Sequence, residues 1–269
     1  MRNVPAGVLR GTLVLCFVLF ITLPLVMVLL EAFGADWFGA RMLPGSWTLR
    51  WFAWAAQTVD LGGVLFNTAE IALLATVFTL VLALPAGWAI ARYRLPLKSV
   101  LIGAILFPRM IPEITFALGV ARIFYAIHLT NTAVGIALAH VILAAPFAVV
   151  VLISTFEGLD PRLLEAGAVM GCGPFRLFRK VTLPLALPGI VAASLFAFLA
   201  SYNDFVLTLM VYGTDTVTLP VQTYLSLGNG YLSVAAAIST ILLVPSLLFL
   251  LGMLRMVNPE NLLGGLKGA

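Results

Sequence analysis

Six long apolar runs dominate the hydrophobic pattern of the chain, and polar or basic stretches separate them. A helix that crosses a bilayer needs about 20 mostly apolar residues. By that criterion we expect six spans, near residues 11–30, 65–91, 99–124, 133–153, 186–210 and 234–254. The pattern therefore predicts an all-α membrane protein.

Composition supports this assignment and excludes two other classes. The 269 residues are 62% hydrophobic and 10% charged, with a mean hydropathy of +1.12, whereas a soluble domain carries about 25% charged residues. The net charge of +4 could suggest nucleic-acid binding, but the basic residues lie beside apolar spans and form no amphipathic basic face. Cys16 and Cys172 are expected at different levels of the membrane, so no disulfide is predicted.

The distribution of basic residues predicts the orientation, because Lys and Arg are enriched on the cytoplasmic side of short loops. One side of the predicted bundle has most of them: Arg2, Arg10, Arg92, Arg94, Lys98, Arg162, Arg176, Arg179, Lys180, Arg255 and Lys267. The other side has Arg41, Arg50 and Arg122, and Arg109 lies within a span. The first side is therefore predicted to be cytoplasmic, with both termini inside.

Three regions are predicted along the chain. Residues 1–64 contain the first span, which we interpret as a retained anchor because its apolar run exceeds the roughly 7–15 residues of a signal peptide. They also contain an outer segment with four tryptophans, typical of a helix at the membrane interface. Residues 65–254 form the core with a cytoplasmic connection at 154–185, and residues 255–269 form a cytoplasmic tail.

That connection is long, polar and basic, and its sequence predicts two short helices. Asp160-Pro161 is a helix start, with a capping oxygen followed by a proline at the first helical position. Gly171 suits the left-handed position that ends a helix. Gly173-Pro174 starts a second helix, and Leu183-Pro184 is expected to stop it before the fifth span.

The same segment resembles the Glu-Ala-Ala (EAA) motif of permease subunits of binding-protein-dependent ABC importers. The matching residues are Glu165, Ala166, Gly167 and Gly171, followed after nine residues by Val181, Leu183 and Pro184. Gly167 and Val181 depart from the motif's Ala and Ile. Among these permeases the chain looks most like the polyamine branch, through Pro108, Pro112, Leu118-Gly119 and residues 201–204.

The resemblance implies a MetI-like ABC importer permease fold in the cytoplasmic (inner) membrane of a bacterium. It implies that residues 154–185 dock on two ATP-binding subunits, with Glu165 pairing with a basic residue of the partner. It also implies a second permease subunit, which the branch suggests is a different protein, and an extracytoplasmic solute-binding protein. ATP and magnesium would be bound by the ATPase subunits, and this chain would need no cofactor and catalyse no reaction itself.

Ionisable groups within the spans are candidates for the translocation path, because charges inside a membrane are costly and usually functional. Glu113 lies roughly 20 Å along the third span from its cytoplasmic entry, and Asp204 about 25–30 Å along the fifth. With Glu70 near the outer start of the second span, they favour a cationic or amine-bearing solute. Tyr202 and Asn203 accompany Asp204, although these three residues could equally form a helix cap or the start of a loop.

Arg109 lies one helical turn before Glu113, at a spacing that allows an ion pair. Such a pair could be purely structural. Pro108 and Pro112 flank it and predict a broken helix beside a cavity. His128 and His140 are too isolated to indicate a metal site, and we interpret them as structural.

Motif absences limit the alternatives. The sequence has no phosphate-binding loop of the Gly-x4-Gly-Lys-Ser/Thr type, so ATP binding by this chain is not expected. The alternative is a secondary transporter or channel driven by an ion gradient, but only the Pro108–Pro112 region resembles the paired broken helices of such proteins. The solute is left open among polyamines, opines, amino acids, phosphonates and ferric ion.

Overall fold

The computed structural model describes residues 6–37 and 42–256, and this part of the chain is mainly helical. Two strands of two residues each, Gly34–Ala35 (β1) and Ser46–Trp47 (β2), form a small antiparallel pair. The α-helices are α1 Ala6–Phe33, α2 Arg50–Thr58, α3 Leu61–Arg92, α4 Lys98–Leu106, α5 Glu113–Ala126, α6 Ala133–Glu157, α7 Pro161–Val169, α8 Pro174–Leu177, α9 Leu183–Tyr202, α10 Val206–Val211, α11 Leu219–Gly228 and α12 Leu232–Met256. A 3₁₀ turn, Phe107–Met110, follows α4, and a π-helical turn, Phe178–Thr182, precedes α9.

Five helical segments of the described chain are long and apolar enough to cross a membrane, or six if α4 and α5 count as one bent span. The predicted all-α membrane class is therefore confirmed. Helices α1, α3, α6 and α12 contain the first, second, fourth and sixth predicted spans, and each extends beyond the predicted bounds.

The described chain divides into two compact units. The first comprises residues up to Val64 together with Leu219–Val244, and the second comprises Leu65–Thr218 and the chain from Pro245 onward. In the first unit, the tryptophan-rich segment forms the β1–β2 pair and α2, and Trp51 Nε1 donates to the carbonyl of Gly34 at 2.8 Å. The predicted three-region division stays a prediction.

The core of the second unit is built on α6, which packs most extensively on α9. Small residues allow the backbones of membrane helices to approach closely. A Cβ atom at Gly189 of α9 would lie 2.7 Å from Cβ of Thr155 on α6, and closer still to Oγ1 and Cγ2 of that threonine. At Gly87 of α3, a Cβ atom would lie 2.8 Å from Cβ of Leu152. Two glycines thus set the distances of α3 and α9 from α6.

We expect Gly189→Ala to lower the stability of the chain by about 1–3 kcal/mol, because the added methyl group must displace the β-branched side chain of Thr155. The measurement is thermal unfolding of the purified protein in detergent. Gly119→Ala in α5 is the matched control: its Cβ would meet no described atom within 4 Å, and alanine favours a helix over glycine. Equal destabilisation by both variants would contradict the close-packing role of Gly189.

The third predicted span, residues 99–124, is not a continuous helix. Helices α4 and α5 meet at an angle of 96°, across a break after Met110. Ile111 is extended there, with φ −84° and ψ 139°. The break predicted from Pro108 and Pro112 is present, because proline removes a backbone donor and clashes with the carbonyl four residues earlier.

The fifth predicted span, residues 186–210, is wrong at both ends. Helix α9 ends at Tyr202, and a break precedes α10. At the other end, the helix runs without interruption from Pro174 through the π turn into α9. Leu183-Pro184 therefore does not stop it. The π turn Phe178–Thr182 explains why, since its widened backbone lies where the proline ring would otherwise meet the carbonyl of Lys180.

Candidate functional site

The connection at residues 154–185, which the resemblance predicts to be a coupling segment and which we call by that name, has the local structure that its sequence predicts at α7. Asp160 Oδ1 accepts a hydrogen bond from the backbone N–H of Arg162 at 2.9 Å, and Pro161 occupies the first turn. Gly171 has φ +79°. The N–H groups of Gly171 and Cys172 donate to the carbonyls of Ala168 and Gly167, which is the Schellman pattern of a helix end. Both ends of α7 are thus fixed by local bonds.

The surface of the coupling segment combines an acidic and an apolar part. Glu165 and Ala166 are exposed on α7. Val169 is 89% exposed, and Met170 and Phe175 are nearly as open. Gly167 is buried, and a Cβ atom there would meet Cδ1 at the end of the flexible Leu177 side chain, which a shift of that side chain would relieve. Leu183 and Pro184 lie beyond this surface, in the first turn of α9.

Aromatic packing anchors the coupling segment to the helices of the second unit. The ring of Trp88 on α3 packs edge-on against Phe156 of α6 and Phe178 of the π turn, with centroids 5.3 and 5.5 Å away. The guanidinium of Arg92 lies over the same tryptophan and donates to the carbonyl of Leu159 at 3.0 Å. These contacts hold both ends of the segment against α3.

A salt bridge joins the start of the coupling segment to the broken helix. Lys98 Nζ, at the beginning of α4, lies 2.8 Å from Glu157 Oε1, at the end of α6. Both side chains are partly exposed, so the energy of the pair is small, about 0–1 kcal/mol. The contact nevertheless places the coupling segment directly beside the helix that leads to the break after Met110.

A polar cavity of about 310 Å³ lies within the second unit, between the two helix breaks. It is lined by Arg109, Glu113, His140, Leu143, Leu199, Ala200, Asn203, Asp204, Phe205 and Val206. Three of the five predicted path residues, Glu113, Asn203 and Asp204, are therefore brought together. Charged groups gathered within an apolar bundle are costly, and they usually mark a functional site.

The buried part of this cavity is a hydrogen-bonded pair of His140 and Asp204, whose side chains are 2% and 6% exposed. His140 Nε2 lies 3.1 Å from Asp204 Oδ1, and its Nδ1 lies 2.7 Å from Ser201 Oγ. The backbone N–H and hydroxyl of Thr208 also donate to Asp204 Oδ1, at 3.0 and 3.1 Å. Asp204 thus both caps α10 and points into the cavity.

The exposed part of the cavity contains Arg109 and Glu113, which do not form the ion pair that their spacing allows. Arg109 Nε donates to the carbonyl of Leu143 at 3.0 Å, and its guanidinium lies 4.6 Å from the ring centroid of Phe147. Among the described residues, Glu113 has no hydrogen-bond or salt-bridge partner. The extended backbone at Ile111 removes the helical geometry that would align the two side chains.

The other two predicted path residues lie elsewhere in the described structure. Tyr202 is buried, and its ring stacks on Phe198 with a centroid distance of 5.5 Å. Glu70 lies on α3 and does not line the cavity. Asn203, by contrast, lines it while its amide donates to the carbonyl of Leu199 at 2.9 Å. The hydrophobic pattern predicts a span that continues to residue 210, so it gives no direction for Tyr202 and Asn203 at the actual end of α9.

Sequence reasoning missed the part that His140 plays in this site. The histidine is fully hydrogen-bonded, as expected of a structural residue, but its partners belong to the predicted path. A usable signal was present, since His140 is an ionisable residue inside a 25-residue apolar helix. Within the described part of the chain, no cluster of metal-ligating residues is present.

Comparison with known proteins gives concordant results. Residues 80–261 match the family "Binding-protein-dependent transport system inner membrane component". The chain is 26% identical to the spermidine/putrescine permease PotC of Escherichia coli K12, over 90% of this chain and 91% of PotC. It is 33% identical to the trehalose permease SugB of Mycobacterium tuberculosis, over 76% of each. Polyamine and sugar permeases are thus both similar to it.

One chain of a bacterial ABC transporter that imports alginate has the same fold, with a TM-score of 0.73 and 15% sequence identity. The match covers 96% of this chain and 100% of that chain. The alginate transporter in complex with its alginate-bound periplasmic protein matches with a TM-score of 0.68. The family match covers more than half of the sequence, and it confirms the resemblance to permease subunits of binding-protein-dependent ABC importers. The chain therefore belongs to the inner-membrane components of binding-protein-dependent transport systems, as a non-catalytic permease subunit of an ABC importer.

Proposed function

We propose that this chain forms half of a solute path and couples it to ATP hydrolysis by a partner subunit. The observation that carries the proposal is the cavity lined by Arg109, Glu113 and Asp204, between the two helix breaks of an apolar bundle. Irregular backbone at membrane depth is tolerated where it lines a cavity. The cavity is therefore the segment of the path that this subunit supplies.

Coupling takes place at residues 154–185. Exposed Glu165 pairs with a basic residue of the ATPase, and the exposed apolar residues Val169, Met170 and Phe175 fill its docking groove. Because α7 is capped at both ends and Trp88 anchors the following helix, a push on this surface moves the segment as a body. The salt bridge from Glu157 to Lys98 passes the movement to α4.

The assembly contains two ATP-binding subunits, which hold ATP and magnesium, and a second, different permease subunit that completes the path. An extracytoplasmic binding protein delivers the solute, in line with the periplasmic protein bound to the alginate transporter. The chain needs no cofactor of its own and is surrounded by lipid. Both termini lie in the cytoplasm, as the basic residues beside the spans indicate.

The solute is a small polar compound that bears an amine. The support is the unpaired carboxylate of Glu113 in the cavity, together with similarity to a spermidine/putrescine permease. Polyamines are thus the first compounds to test. The similarity to a trehalose permease makes a neutral sugar the necessary comparison.

We expect Glu113→Gln to reduce ATP-driven uptake of an amine solute about tenfold or more. Removing a charged hydrogen-bond acceptor costs about 1.5–3 kcal/mol, and 1.4 kcal/mol corresponds to a factor of ten. The measurement is uptake of labelled putrescine and trehalose by vesicles that contain the complete transporter. Because Glu113 is exposed and bonds to no described residue, the variant should still assemble with its partners.

Glu70→Gln is the matched control, since Glu70 lies on α3 outside the cavity. We expect its uptake to stay within about twofold of the unmodified transporter, because Glu70 is partly buried on α3 and does not line the cavity. Unchanged uptake by Glu113→Gln would contradict the assignment of this cavity to the path. Uptake of trehalose alone, by either form, would contradict the amine assignment but not the importer role.

A further inference from the structure

The carboxylates that line the cavity are not equivalent. Three groups lie within hydrogen-bond distance of Asp204 Oδ1: His140 Nε2, the Thr208 backbone N–H and the Thr208 hydroxyl. A buried carboxylate oxygen with these partners contributes to the stability of the fold, because losing a partner would leave a buried charge uncompensated. Oδ1 of Asp204 therefore offers little binding energy to an incoming cation, whereas both oxygens of the exposed Glu113 carboxylate can accept one.

Two charged groups of opposite sign remain available to a ligand. The side chain of Glu113 is exposed, and its carboxylate makes no hydrogen bond or salt bridge with a residue that the structure describes. Arg109 uses only Nε, toward Leu143, so both terminal amino groups of its guanidinium are free of described partners. The ring of Phe147 lies against the guanidinium and limits its movement. A planar guanidinium with two free N–H₂ groups suits bidentate binding of a carboxylate or phosphonate.

We infer that the cavity binds a zwitterion, a solute whose cationic amine meets Glu113 and whose anionic group meets Arg109. The inference rests on the proposed function and narrows its solute class from amines in general to amines that also carry an acidic group. A plain polycation would satisfy Glu113 but would place a second positive charge near the guanidinium of Arg109. Like charges at close range repel each other, so this arrangement is unfavourable.

The remaining walls of the cavity agree with a small, flexible zwitterion. Its volume of about 310 Å³ lies at the low end of the roughly 300–1,000 Å³ of small-molecule sites. Leu143, Leu199 and Val206 contribute apolar surface, which suits a short methylene chain between two charged ends. A neutral sugar would leave both charges unmatched, and an unmatched charge in a confined site opposes binding.

The test compares four probes with the same four-carbon backbone and different charges. They are 4-aminobutyrate (zwitterion), putrescine (dication), succinate (dianion) and 1,4-butanediol (neutral). Binding is measured by calorimetry on the purified transporter in lipid nanodiscs, with its partner subunits and without the solute-binding protein, so that only the membrane-embedded path can discriminate among the probes. We expect 4-aminobutyrate to bind about tenfold more tightly than each of the other three, since each charge-assisted contact is worth about that factor.

Two variants that each remove one charge test the assignment further, because they should change the order of affinity of the four probes. With Arg109→Gln the cavity retains one available carboxylate, so putrescine should overtake 4-aminobutyrate. With Glu113→Gln it retains one guanidinium, so succinate should overtake 4-aminobutyrate. A merely structural role of either residue would weaken all four probes together and leave their order unchanged.

Tightest binding of putrescine to the unmodified transporter would overturn the inference, as would an unchanged order in both variants. Absence of measurable binding by any probe, in a preparation that hydrolyses ATP and takes up its solute, would also overturn it while leaving the importer role intact. A purified assembly that couples no uptake to ATP hydrolysis would overturn the proposed function itself and the inference with it.

Discussion

Glu165→Arg is expected to abolish co-purification of the ATPase subunit with a tagged form of this chain, and to abolish ATP-driven uptake. The substitution places a positive charge opposite the basic residue that we propose on the ATPase. Juxtaposed like charges at an interface cost several kcal/mol, which is about a hundredfold or more in affinity. The chain itself should fold normally, because Glu165 is exposed on α7 and arginine is a good helix former.

The control for this variant carries the same change of charge at the opposite predicted side of the membrane. Asp215 is exposed in the loop between α10 and α11, and Asp215→Arg should leave the ATPase bound. If Glu165→Arg retained the ATPase at the level of the unmodified chain, α7 would not be the docking element. Loss of the ATPase in both variants would indicate an effect of charge on expression or insertion.

The parts of this protein that sequence predicts well are those fixed by local chemistry. Asp160, Pro161 and Gly171 bound α7 where expected, because a capping oxygen, a fixed φ and a left-handed glycine act within a few residues. The long apolar runs predict the spans for a similar reason, since bilayer thickness sets their length. Pro108 and Pro112 likewise predict the break between α4 and α5.

The parts that were not predicted depend on packing between distant residues. Leu183-Pro184 should end a helix by its local preference, but the π turn before it allows the helix to continue. Tyr202 packs on Phe198 and so lies outside the cavity. Arg109 contacts Phe147 and the carbonyl of Leu143, both on α6, in place of Glu113. No spacing rule along one helix can anticipate a partner on another.

The pairing of His140 with Asp204 also depends on packing between distant residues, because 64 positions of sequence separate them. The packing of α6 against α9 and α10 brings them together. It also changes the expected consequence of mutation. Glu113 and Asp204 look equivalent in the sequence, yet the Glu113 carboxylate is exposed and unpaired, whereas Asp204 is buried and bonded through Oδ1 to His140 and Thr208. Substitutions of Glu113 should affect transport alone, and substitutions around Asp204 should affect stability first.

We expect His140→Leu to destabilise the chain by about 3–5 kcal/mol, because it leaves the buried carboxylate of Asp204 without its ring partner. Adding Asp204→Asn should restore most of that loss. Asparagine removes the uncompensated charge, and its side-chain oxygen can still accept the bond from the Thr208 backbone N–H that caps α10. The measurement is thermal unfolding of the purified transporter for both single variants and the double variant.

Uptake by the double variant then separates the two roles of Asp204. If the carboxylate serves only to hold α10 and α6 together, a double variant of restored stability should also transport the solute at close to the original rate. If its charge also attracts the solute, stability returns and uptake stays low. A double variant as unstable as His140→Leu alone would show that the two side chains are not energetically coupled. In that case, the loss of His140 would not have left the Asp204 carboxylate uncompensated, so removing its charge would restore no stability.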